Sequence, residues 1–86
     1  MAAVRYFLIV YDRAAGELIE LKEYAETDAA AALHDRFARE SEHRTDPNVE
    51  VVVLGAPSLA TLQETHGRYF SKGTEGLIRD LEAATR

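Results

Sequence analysis

The chain has 86 residues, a formal net charge of −5 and no cysteine. That length fits one domain, residues 1–86, with a single modest core. The missing cysteines exclude disulfides, thiolate zinc sites, iron–sulfur clusters and cysteine nucleophiles, and favour a cytosolic setting. The acidic balance repels phosphate backbones and disfavours nucleic-acid binding, all the more because the basic residues are scattered among acids.

The first element is "RYFLIVYD", Arg5 to Asp12, β-branched and aromatic. Such a run favours a strand, and the segment around it, "MAAVRYFLIVYDR", reads as a strand rather than a signal peptide. "RAAG" follows as a turn in which Gly16 supplies a positive φ, and "ELIELKEY", Glu17 to Tyr24, returns as the second strand of a hairpin. "ETDAAAALHDRFARESEHR" is the strongest helical segment, with Thr27 or Asp28 as its cap. Its periodicity predicts Ala30, Leu33 and Phe37 on the inward face, which Ser41 extends, with Asp35, Arg36, Arg39, Glu40 and Glu42 in solvent. Asp35–Arg39 and Glu40–Arg44 are expected as i,i+4 ion pairs.

Asp46–Pro47 breaks this helix, and "VEVVVLG", Val49 to Gly55, is a third strand. "APSLATLQETHG" predicts a short helix capped by Ser58 and closed by Gly67. A last helix starts near Thr74 and carries Leu77, Ile78 and Leu81 on its apolar side. No repeat, linker or apolar run long enough to cross a membrane is present in the sequence.

The order β-β-α-β-α-α predicts a small two-layer α+β sandwich. Hairpin pairing and crossover handedness give a three-stranded sheet of order 2-1-3, with helices mainly on one face. On this reading Ile19 and Leu21 point to the core. Leu18, Tyr24, Val52 and Leu54 lie on the back of the sheet, an apolar patch suited to self-association as a homodimer. The alternative is that the final helix folds over this back face. The element order resembles that of the GIY-YIG nuclease module. The strands "RYFLIVYD" and "LIELKEY" lack that family's glycines, so the resemblance is one of topology.

One stretch concentrates chemistry: "THGRYF", Thr65 to Phe70. As structure, Gly67 ends a helix, Tyr69 and Phe70 fold back onto the core, and Arg68 reaches an acid. As a site, His66, Arg68 and Tyr69, with Lys72 beside them, would line a small anion-binding cleft. His34, His43 and His66 lack the spacing of a metal site, and no phosphate loop, nucleophile elbow or cofactor fingerprint is present. The acids Asp12, Glu17, Glu20, Glu23 and Glu26 of the hairpin read as edge protection. The leading expectation is a cytosolic, non-catalytic binding or regulatory module that self-associates and contacts another protein, without a cofactor or metal. The alternative is a small enzyme or anion-binding domain built on His66, Arg68 and Tyr69. Alanine- and arginine-rich, lysine-poor usage points to a bacterial source.

Overall fold

A strand whose residues are apolar on both sides has to be covered on both sides, and β1 (Arg5–Asp12) is such a strand. Phe7, Leu8, Ile9 and Val10 are all 0 % exposed. The computed structural model describes residues 3–71 and 74–84. β1 is followed by β2 (Glu17–Tyr24), a 3₁₀ turn at Glu26–Asp28, α1 (Ala29–Glu42), β3 (Val49–Ala56), α2 (Leu59–Thr65), a 3₁₀ turn at Gly67–Phe70 and α3 (Glu75–Ala84). The sheet has the expected order β2-β1-β3, with β1 antiparallel to both neighbours. This is a small α+β fold.

The hairpin closes as its sequence dictates. Gly16 has φ 66°, and the Asp12 carboxylate accepts from the backbone N–H groups of Ala14 at 2.9 Å and Ala15 at 3.1 Å. Ser58 caps α2, accepting from the Thr61 N–H at 3.1 Å. The cap expected at Thr27 or Asp28 does not form: Asp28 occupies the N-cap position of α1 without a side-chain hydrogen bond, and the 3₁₀ turn leads into the helix instead. Gly67 follows α2 without the left-handed conformation by which a glycine commonly closes a helix, since Gly16 is the one positive-φ residue among those described. The chain enters the second 3₁₀ turn directly after α2.

The helices divide between the two faces. α2, the second 3₁₀ turn and α3 cover one, where Phe7, Ile9, Tyr11, Leu18, Leu21, Leu62, Tyr69 and Leu81 form the larger core. α1 covers the other, over Leu8 and Tyr24, with Ala32 buried against them and Val51 and Val53 alongside. Leu18, Val52 and Leu54 therefore lie beneath helices, and Tyr24 is buried on the opposite face under α1. The four residues expected to form one open patch are split between two covered faces.

The division follows from a β-bulge. Val10 pairs with Glu20 and Tyr11 with Leu18, so Ile19 has no partner on β1. The extra residue resets the alternation of β2, placing Leu18 and Leu21 together in the larger core and leaving Ile19 44 % exposed. Strict alternation had paired Ile19 with Leu21. Leu18→Ala is expected to lower unfolding stability by about 2–5 kcal/mol, whereas Ile19→Thr stays within about 0.5 kcal/mol of the parent. Equilibrium urea unfolding of the two variants checks this, and equal losses would contradict the bulge.

Candidate functional site

Two places concentrate polar chemistry or exposed apolar surface: the Thr65–Phe70 stretch and α1. In the first, the 3₁₀ turn buries Tyr69 beside Tyr11, their rings meeting edge to face at 5.1 Å and 84°. Phe70 packs against the same core. The acid that answers this cluster is Glu50, which sits opposite Tyr11 on the neighbouring strand. The Tyr69 hydroxyl donates to Glu50 Oε2 at 2.5 Å, and Arg68 Nη2 donates to the same carboxylate at 2.9 and 3.2 Å. The Arg68 guanidinium also lies 4.2 Å from the Tyr69 ring centroid and 5.8 Å from that of Tyr11. His66 stacks loosely on Tyr69 at 6.4 Å, and its Nδ1 meets Thr65 Oγ1 at 2.9 Å.

His66, Arg68 and Tyr69 are thus brought together, as the sequence suggested, but around an internal carboxylate. Lys72 lies outside the described residues. Glu50 fills the place an external anion would take, and its charge offsets that of Arg68. The hydrogen bond from Tyr69, reinforced by Arg68, holds the Glu50 carboxyl below its ordinary pKa against the opposing effect of burial. Burial first, and then the bond to Glu50, pushes the Tyr69 hydroxyl up to about 12.

α1 departs further from its expected orientation. Its charged side lies against the sheet. Asp35 accepts from the Tyr24 hydroxyl at 2.5 Å and from Lys22 Nζ at 3.0 Å. Arg39 grips Glu20 with two hydrogen bonds, at 2.6 and 3.1 Å. The predicted Asp35–Arg39 pair is replaced by these cross-element bonds; within the helix the pairs are Arg36–Glu40 at 3.4 Å and Arg39–Glu42 at 3.6 Å. The bond from Tyr24, followed by that from Lys22, lowers the Asp35 pKa, while burial raises that of Tyr24. The hairpin acids therefore do more than guard an edge: Glu20 anchors α1, Glu23 pairs with Arg5, and Asp12 closes the turn.

The apolar side of α1 faces outward as a consequence. Leu33 is 46 % and Phe37 61 % exposed, and with Ala30, His34 and Ala38 they line an open, shallow groove. This surface was missed because helical periodicity identifies an apolar stripe but not which side meets the sheet. A signal was present in β2, where Glu20, Lys22 and Tyr24 alternate along one face with charges opposite to those of Arg39 and Asp35. Glu50 was likewise legible as the lone acid of β3 and a partner in waiting for Arg68.

Among the described residues, no group of three or more potential ligands is arranged to hold a metal ion, and no helix is long and apolar enough to cross a membrane. The lowered pKa values carry a pH signature. A carboxylate with a depressed pKa in the folded state contributes stability that is complete above its unfolded value, about 4.3 for glutamate, and is lost as pH falls through the depressed one. Glu50→Gln should therefore be less stable than the parent at pH 7 and lose less on acidification, as read by urea midpoints from pH 7 downwards. The raised Tyr69 value acts oppositely: its contribution is full below about pH 10 and is lost as pH climbs towards about 12. Tyr69→Phe should remove one ionisation step near that value from an ultraviolet titration. Comparison with protein-family models, curated proteins and solved structures finds no match to this chain.

Proposed function

We propose that this chain is a non-catalytic binding module acting through protein contacts, and that its contact surface is the outer face of α1. One observation carries the reading: Phe37 and Leu33, the most exposed large hydrophobic side chains among the described residues, lie one helical turn apart on the same face. A contiguous apolar strip of this kind on a small domain marks an interaction surface. The cluster of His66, Arg68 and Tyr69 supports the same reading from the other side, because its arginine and tyrosine are engaged by Glu50 and serve to pin the 3₁₀ turn to β3. The absence of cysteine favours a cytosolic setting for such a module, and its residue usage a bacterial one.

Site-specific photo-crosslinking in an extract of the source cells tests the reading. A photoreactive residue at position 37 should yield a covalent protein adduct, and one at Glu64, exposed on α2, should not. Failure to form any adduct from position 37, whether to another protein or to a second copy of the chain, would sink the proposal. Phe37→Asp should abolish binding to whatever that adduct contains while leaving the melting temperature within a few degrees of the parent, since surface changes cost about 0.5 kcal/mol or less.

A further inference from the structure

We infer that the open edge of β3 pairs with β3 of a second copy of this chain, antiparallel about a two-fold axis at Val53, so that two three-stranded sheets join into one. The two edges of the sheet differ. β2 carries the features that deter strand pairing, a bulge at Ile19 and the charged side chains of Glu20, Lys22 and Glu23. β3 has neither. Its register against β1 is unbroken from Val49 to Ala56, it contains no lysine or proline, and its single acid, Glu50, is turned to Arg68 and Tyr69. From Val51 to Leu54 it is apolar on both faces, with Val51 and Val53 beside the α1 core and Val52 and Leu54 beside the larger one.

The register also fixes which backbone groups face the open edge. The Arg13 N–H donates to Asn48 O at 2.8 Å, one step beyond the Asp12–Val49 pair. Bonded and non-bonded pairs alternate along an antiparallel ladder, so Glu50, Val52, Leu54 and Ala56 bond to β1. Val49, Val51, Val53 and Gly55 turn their groups outward. The Val49 N–H is taken, since it donates to Asp46 O at 3.2 Å. Among the described residues, no second strand or turn bonds to Val51, Val53 or Gly55 at this edge. The next outward position is Pro57, which has no N–H.

The open stretch is thus bounded on both sides, and Val53 is its centre. Such a row of groups accepts an extended strand. A second β3 in antiparallel register satisfies every one of them: Val53 exchanges bonds with its counterpart, and Val51 with Gly55. A shift in either direction sets one of the three against Val49, whose N–H is taken, or against Pro57. The contact is isologous, as a closed dimer requires. The side chains agree with this register. Val52 falls opposite Leu54, and Glu50 opposite Ala56, so no like charges meet. On the other face Gly55 is exposed, and a Cβ there would meet the Tyr6 ring at 3.6 Å. Val51 of the second copy falls opposite this glycine, with no side chain between it and that ring.

Sedimentation velocity from about 1 µM to about 1 mM, the span of micromolar to millimolar Kd values, should show the average mass rising from one chain towards two. Over the same range, exchange of the Val51, Val53 and Gly55 amide protons should slow several-fold, while that of Val49 stays as it is. Val53→Pro should abolish the rise without unfolding the chain, because the N–H it removes gives nothing to β1. Because the chain contains no cysteine, single cysteines report the register. Val53→Cys should form a disulfide dimer, its counterpart standing opposite at about 5.5 Å between Cα atoms, within the span of a bridge. Val51→Cys should not, its counterpart being displaced by about 14 Å along the strand. Equal bridging at both positions would overturn the register. A mass of one chain at every concentration would overturn the proposal. So would a rise in mass that leaves the three amides unprotected, or one that Phe37→Asp removes and Val53→Pro does not.

Discussion

The architecture depends on the double-sided burial of β1. Four consecutive residues, Phe7 to Val10, have no contact with solvent, so neither face of the sheet can be left open. A domain of this size has few elements with which to meet that demand. One face receives α2, α3 and the intervening 3₁₀ turn, and the other is left to α1 alone. Everything unusual about α1 follows from being, among the described residues, the only helix over a face whose outer strand carries Glu20 and Lys22. A helix laid there with its leucine and phenylalanine inward would bury both charges without partners, at a large desolvation cost. Turned as it is, the helix answers each charge with its opposite and seals the apolar centre with Ala32, a side chain small enough to let it sit close to the sheet.

Much of the fold was legible because local chemistry and global order agree. The hairpin is announced by Gly16 and Asp12, the break after α1 by Pro47, and the start of α2 by Ser58. The 2-1-3 sheet then follows from handedness and pairing alone. The missing parts share one physical character, since each is a choice between two faces of an element. A single unpaired residue, Ile19, inverts the assignment of Leu18. A pair of ion pairs decides which way α1 rolls. Periodicity fixes the angular spacing of side chains but not the direction of the stripe, and only tertiary partners settle it.

The Thr65–Phe70 stretch shows the same division. Its residue types did foretell their company, since Arg68 found an acid and Tyr69 and Phe70 folded back onto the core. The identity of that acid depended on strand register, which places Glu50 across from Tyr11. A cation, a phenol and a carboxylate assembled this way close on one another. The cluster ties the segment between α2 and α3 to the edge strand β3, so the short α2 is held at both ends, by Ser58 at its start and by Glu50 just beyond its finish.

The two faces of the sheet are not held by the same kind of force. The larger core rests on area removed from water, which salt strengthens slightly or leaves alone. The α1 side combines a smaller core of Leu8, Tyr24 and Ala32, with Val51 and Val53 alongside, and partly exposed charge pairs, which lose much of their strength once the Debye length falls to about 3 Å in molar salt. The molecule is thus a laminate in which one bond is apolar throughout and the other is part apolar, part electrolyte-sensitive. Molar salt loosens the ties that set the roll of α1, while Leu8 and Tyr24 stay buried beneath it. Ionic strength thus acts on how firmly α1 holds its orientation and leaves its docking to the apolar core.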